Sequence, residues 1–489
     1  MRISTLVLLL LIACVADASP LADPGNVQFR HDLELLNDMG VIDVPLTAWP
    51  VALSDIRADL GVLPSSSSVA LAQAYRRVSA RLNSELDVRV PRFNASLSGA
   101  VEPRFIRGFD DTPRDEGEIT TSVDWIGERF AFRLSATAVA NPFDGDEFRP
   151  DGTWIGVALG NWMLTAGWQD RWWGPGRDGS LILSTNARPA PGLMLQRNLS
   201  TPFESRLLSW MGPWTVTTFM SWLDDDRVVE DALLFGIRGS IRPPGTGLEI
   251  GISRSAQWCG NDRPCDLGVF GDLLVGNDNR GVNVDADEEP GNQLGGFDIR
   301  WRLPKGVPAA LYMQWIGEDG RGGGGAIGSW LRQLGLEAWG EIGGFSHRTH
   351  FEVSDTTCRQ GGFGFSGMVP NCAYEHFIYT TGYRYQGRSI AHGADGDSLA
   401  YSIGSTLVQS AGNSWSVLLR HMEINRVGTL LDTHTLSLEP YETTDVLVSH
   451  SWRTQWGAFN AGVGYMRVRS SSPELHDSDV SAFIRWSSR

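Results

Sequence analysis

Apolar and polar residues change rhythm along this chain. Past Ser65–Ser68, Leu71, Tyr75, Val78, Leu82 and Leu86 recur at three- and four-residue steps and share one helix face. Asn26 is placed to cap a helix over Val27–Met39, with Gly40 suited to the left-handed residue that follows it. Pro45 and Pro50 bracket a turn, and Ser54 opens a short helix ending near Gly61. Residues 26–88 thus predict a helical unit of about sixty residues, too small to bury a core alone and in need of a surface to pack on.

From Arg89 the period is two. Phe130, Phe132, Leu134 and Ala136 alternate with Arg129, Ala131, Arg133, Ser135 and Thr137. Phe297, Ile299, Trp301 and Leu303 alternate with Asp298, Arg300 and Arg302, and Val480–Arg485 repeats the pattern. Such segments are strands with one apolar and one polar face, which a soluble sandwich would also contain. Connection lengths separate the two architectures. Tight links such as Gly127-Glu128, Asn161, Gly212-Pro213 and Ser410–Asn413 alternate with long ones at 103–117, 169–203, 259–291, 357–396 and 426–440. A barrel in an outer membrane has this asymmetry, with short periplasmic turns, long outward loops and an even strand number. The strands, 204–211 and 214–223 among them, number about eighteen. The predicted class is mainly β: a transmembrane antiparallel β-barrel with a small N-terminal α-helical bundle. Residues 1–18 read as a signal peptide, 19–88 as a periplasmic helical bundle and 89–489 as the barrel with long extracellular loops.

Composition alone points elsewhere. With 41 Lys+Arg against 57 Asp+Glu, the net charge is −16, and the mean hydropathy is −0.16. That describes an acidic soluble protein of several domains, and it argues against nucleic acid as a partner because phosphate contacts need clustered positive charge. The barrel changes the picture: the polar half of each strand lines a wet lumen, and the apolar half faces lipid without any spanning helix. Interfacial girdles account for part of the 19 Trp and 20 Phe. Lys305 is the sole lysine. Arg2 and the apolar run Ile3–Ala16 form an export signal. Ala16-Asp17-Ala18 gives cleavage before Ser19, the reading adopted, while Leu11-Ile12-Ala13-Cys14 offers a lipidated Cys14 as the alternative. In an exported chain the close spacings favour Cys259–Cys265 and Cys358–Cys372 disulfides over metal ligation.

The segment Gly167–Leu181 combines Trp168, Arg171, Trp172, Trp173 and Arg177 with Gly and Pro. Aromatic faces stack on sugar C–H faces, and Arg bonds hydroxyls and carboxylates, so a glycan patch could run through Asn186 and Arg188, with Tyr383 and Tyr385 in a second turn-rich stretch. The competing reading is a loop folded inward that constricts the barrel, with Trp172 and Trp173 as packing. Asp278, Asp285, Asp287, Glu288 and Glu289 make an acidic loop without EF-hand spacing, read as solvated rather than metal-binding. The nine His form no HExxH, and no GxSxG or phosphate loop occurs. No catalytic residue, metal or cofactor is assigned.

Several stretches resemble the capsule-assembly Wzi family of outer-membrane proteins: Arg30–Ile42, Thr47-Ala48-Trp49-Pro50, Trp172-Trp173-Gly174-Pro175-Gly176 with Gly179-Ser180-Leu181-Ile182, and Met211-Gly212-Pro213-Trp214. Glu289-Pro290-Gly291-Asn292-Gln293-Leu294 with Gly296-Phe297-Asp298, and Ile316-Gly317-Glu318-Asp319, extend the match in order over nearly the whole mature chain. The resemblance implies an eighteen-stranded barrel with periplasmic helices, a blocked lumen and lectin-like attachment of capsular polysaccharide without an enzymatic step. The implied partners are capsular or extracellular polysaccharide and outer-membrane lipid, with the chain a monomer. Both cysteine pairs and the scarcity of lysine depart from the family pattern. An acidic glycan would require arginines at the mouth, with Arg171, Arg177 and Arg188 the first candidates. The alternative function is a porin or transporter, and a barrel hydrolase is a third.

Overall fold

The two-residue period folds into strands that pair in chain order and close on themselves. The computed structural model describes residues 20–87, 89–275, 291–304, 306–318, 329–360, 367–428, 433–470 and 478–488. The signal segment with its two cleavage alternatives, and Asp278, Asp285, Asp287, Glu288 and Glu289 of the acidic loop, lie outside these residues.

Eighteen strands form the closed barrel. They begin with β1 (Arg92–Val101), β2 (Gly117–Ile126), β3 (Phe130–Ala140), β4 (Trp154–Leu159), β5 (Trp162–Trp168) and β6 (Pro191–Arg197). Next come β7 (Trp214–Trp222), β8 (Leu233–Ile241), β9 (Leu248–Trp258), β10 (Gly291–Arg302), β11 (Ala309–Glu318) and β12 (Ser329–Ile342). The last are β13 (Phe345–Gln360), β14 (Leu399–Gln409), β15 (Ser414–Ile424), β16 (Tyr441–Thr454), β17 (Gly457–Ser470) and β18 (Ser478–Ser487). β18 returns to β1, with Phe483 opposite Ala100, so no edge strand is left open. Outward positions such as Phe130, Leu134, Ile252, Val480 and Ile484 are exposed, while Ala131, Val139 and Ser253 face inward and are buried.

The count of eighteen agrees with the sequence, but one strand is not where the sequence placed it. Residues 204–211 are an exposed connection with a 3-10 turn at Ser209–Met211. The strand is Pro191–Arg197, inside the predicted long link. It pairs with both neighbours, Leu193 lying opposite Ala166 of β5 and Met220 of β7. With both edges taken, 204–211 has nothing to pair with, and 198–213 becomes the one long connection on the short-turn side. Pro191 is tolerated because it is the first residue of its strand.

Four helices are described: α1 (Val27–Asp38), α2 (Leu53–Asp59), α3 (Val69–Glu85) and α4 (Leu267–Val275). Asn26 caps α1 as expected, its Oδ1 accepting from Phe29 N–H at 2.9 Å, and Gly40 takes the left-handed φ of +71°. α2 starts one residue before Ser54 and has no side-chain cap. α1 is buried on nearly all sides because the barrel's inner wall and α3 enclose it. The Asp38 carboxylate accepts from Arg300 at 2.8 and 2.9 Å and from Arg348 at 2.7 Å. His31 Nε2 meets Ser346 Oγ at 2.8 Å, and Arg77 of α3 grips Asp32 at 2.7 and 2.8 Å. The Glu249 carboxylate accepts the Leu46 and Thr47 N–H groups at 2.8 and 2.7 Å. Leu33, Leu36, Leu71, Val78 and Leu82 form one apolar core that Trp339, Ala310, Phe109 and Trp172 complete. The surface the helical unit lacks is therefore supplied by the barrel and its infolded loops.

Removing one partner of a buried ion pair strands the other charge and costs about 3–5 kcal/mol. Asp38→Ala should lower the unfolding midpoint accordingly and produce transient channel openings in planar bilayers, where the intact protein should show no steady large conductance.

Candidate functional site

After β5 the chain turns into the lumen, and the tryptophan-rich motif is threaded there. Trp172–Trp173 pairs antiparallel with Ala48–Trp49, and the Gly174 N–H donates to Thr47 O at 2.8 Å. Gly174 has a φ of +123°, and a Cβ there would meet Gln314 Nε2 at 2.5 Å, so only glycine fits. Arg30 donates to the Pro175 and Gly176 carbonyls at 2.8 and 3.0 Å. Glu352 gathers the backbone N–H groups of Arg177, Asp178 and Gly179 at 2.8, 3.3 and 3.1 Å. Arg177 bonds Glu34 and, at 2.7 Å, Glu337. Burial works against its charge, but the two carboxylates outweigh it and hold the guanidinium above its ordinary range.

Most of the glycan candidates are therefore interior groups. Trp172 and Trp173 are 0% exposed, their rings packed edge-on against Phe109 and Phe219 at 5.4 Å each. Asn186 is sealed between Arg107 N–H (3.2 Å) and Ser389 O (3.1 Å). Tyr383 donates to Ser255 Oγ at 2.6 Å, and burial pushes its phenol up. Trp168 alternates to the outward side of β5, opposite to the buried Met163 and Thr165. In this conformation none of these five presents a ring or amide at the mouth, and the inward-loop reading accounts for the motif.

Arg171, Arg188 and Tyr385 do come together, at the long-link end, around a cavity of about 30 Å³ shared with Gln169 and Asp170. Arg188 is held by Asp151 at 2.9 and 3.0 Å, Asp144 at 2.8 Å and Asp146 at 2.7 Å, which overcomes burial and raises its pKa. Tyr385 donates to Asp224 at 2.5 Å. Arg171 lies over the Phe219 ring at 4.3 Å and, among the described residues, donates to Ser221 Oγ at 3.4 Å. Burial brings its pKa down to about 10. The arginines expected to greet an acidic glycan are thus engaged otherwise: Arg177 is deep in the lumen, and Arg188 is already neutralised by three aspartates.

Beside this cavity the structure assembles a patch that the sequence reading passed over. Phe143 is 58% exposed and meets Phe105 edge-on at 5.1 Å. Arg388 lies 4.2 Å over Phe105 and 5.3 Å from Phe143, and burial brings its pKa down to about 9. Arg114, Arg149, Asp144 and Gln386 complete the recess. The signal was present in Pro142-Phe143-Asp144-Gly145-Asp146, an aromatic in a turn-rich loop like the stretch around Tyr383. Both cysteine pairs form as expected, with Cα–Cα distances of 4.6 Å for Cys259–Cys265 and 5.9 Å for Cys358–Cys372.

An eighteen-strand barrel of this fold has a known counterpart. The family model described as capsule assembly protein Wzi matches residues 93–480. The chain belongs to the capsule-assembly Wzi family. A Klebsiella pneumoniae protein described as an uncharacterized 55.8 kDa protein in the cps region is 34% identical over 325 residues, or 65% of this chain; the match spans 62% of that relative's length. The solved structure of Wzi from Escherichia coli, described as an outer-membrane protein involved in group 1 capsule assembly and a carbohydrate-binding β-barrel, is 26% identical. It matches with a TM-score of 0.82 over 96% of this chain and 99% of its own.

Because Arg171 makes no ion pair among the described residues, exchanging it for an apolar side chain of similar length removes a buried charge that only the Phe219 ring and nearby Asp170 offset. Arg171→Met should change unfolding stability by no more than about 1 kcal/mol or raise it, as read by thermal denaturation in detergent.

Proposed function

We propose that this Wzi-family barrel stands in the outer membrane as a monomer, long links outward and helical unit toward the periplasm, and holds capsular polysaccharide at the cell surface. The observation that carries the reading is the interlocked plug. α1 and the tryptophan-rich motif cross the lumen and are pinned to its wall by the Asp38, Glu34 and Glu337 ion pairs. This disfavours the porin alternative and leaves the long-link face for the ligand. Attachment of a polymer there makes and breaks no bond, so no catalytic group is called for.

On that face the Phe143 ring offers an apolar surface for a sugar, with Gln386, Arg149 and Arg388 lining the recess beside it. This patch replaces the buried tryptophans as the contact we favour. A single aromatic contact contributes about 0.5–1.5 kcal/mol, weak per sugar but multiplied along a repeating polymer by simultaneous engagement of many copies.

A strain lacking the protein should shed its polysaccharide into the medium while total synthesis holds; capsule that stays cell-bound would overturn the assignment. Phe143→Ala should weaken binding of purified protein on a glycan array roughly 2–10-fold, with the barrel still heat-modifiable on gels.

A further inference from the structure

α4 lies on the outer wall of the barrel rather than over its mouth. In β8, Arg238 and Ser240 face inward and are buried, so Phe235 points outward. In β9, Ser253, Ser255 and Gln257 face inward, so Ala256 and Trp258 point outward. Both rows end at the long-link side, where Phe235 is paired with Ala256 and Leu233 with Trp258. An outward aromatic at that level would ordinarily be part of an exposed interfacial girdle, as Trp222 is at 45% exposure. Phe235 and Trp258 are instead 6% exposed each. α4 covers them: Phe270 meets Phe235 edge-on at 5.2 Å and Trp258 at 4.8 Å, and Leu273 is fully buried in the same cluster.

The helix is fixed there at both ends. The Cys259–Cys265 disulfide ties the residue after Trp258 to a point two positions before the first helical residue. Asp266 Oδ1 accepts the Gly268 and Val269 N–H groups at 2.7 and 3.1 Å. The outward-facing Arg254 donates to Leu274 O at 3.0 Å, closing the last turn. The side turned away from the wall carries Leu267, 87% exposed, and Leu274. Further down the same outward rows, Ile237 and Ile252 are also exposed, so the helix continues the lipid-facing surface.

We propose that α4 is an interfacial helix seated in the outer leaflet of the outer membrane, its exposed leucines in the boundary between lipopolysaccharide headgroups and acyl chains. The occupant is lipid because the helix prolongs the lipid-facing rows and substitutes for the aromatic girdle at this sector of the rim. The inference rests on the outward orientation of the long links given above.

A benzoylphenylalanine at Leu267, in full-length protein assembled in cells, should give a lipopolysaccharide adduct on irradiation. The same label at exposed Phe377, in the link between β13 and β14, should give none. No lipid adduct at Leu267 overturns the docking, and a phospholipid adduct overturns the choice of leaflet. As a second readout, Leu267→Asp with Leu274→Asp should leave heat-modifiable barrel but speed amide exchange of Leu267–Val275 roughly tenfold; unchanged exchange would also overturn the docking. Capsule retention enters neither readout, so failure here leaves polysaccharide attachment standing.

Discussion

The fold depends on neutralising an arginine-rich inner wall. An eighteen-strand barrel encloses a lumen too wide for its own side chains to fill, and this one points Arg238, Arg300, Arg348 and Arg420 into that space. Each is matched by an inserted or opposing carboxylate: Asp298 for Arg238, Asp38 for Arg300 and Arg348, and Asp178 for Arg420. Two of those carboxylates belong to the plug, one from α1 and one from the tryptophan-rich motif. A charge removed from water is tolerated only with such partners, so wall and plug specify each other. The apolar core shared by Trp172, Trp339 and the helices follows from that docking.

Much of the architecture was legible because it rests on local rules. Asn26 caps α1 through a geometry any Asx residue can adopt, and the strand period survives along most of the barrel, with a register shift between Trp330 and Arg332. The displaced strand was not legible. Neither Pro191–Arg197 nor 204–211 alternates cleanly, and only the pairing of Leu193 with Ala166 and Met220 decides between them. That information is long-range.

The site was legible in composition but not in placement. Sugar-stacking residues and plug-packing residues are the same types, so Trp172 and Trp173 satisfy either reading until their 0% exposure is known. The arginines posed the same ambiguity: Arg188 is a glycan ligand by sequence and the hub of three aspartates by structure. Many of the acidic residues are the internal counter-charge of these buried cations, which leaves few arginines free to meet an acidic glycan.

Composing the lumen's cations from guanidinium alone has a further consequence. An arginine paired with carboxylates, as Arg177 is, keeps its proton throughout the range in which proteins remain folded. Its partner Glu34, although burial favours the neutral acid, is drawn down to about 2 by Arg177, Arg30 and Arg348. A carboxylate depressed in this way keeps its stabilising contribution above its unfolded pKa and loses it only as pH falls from there toward about 2. The ion pairs of Glu34 thus carry no protonation key in mildly acidic or alkaline surroundings. At Glu34, the plug is held by chemistry that the fluid around the cell does not readily titrate.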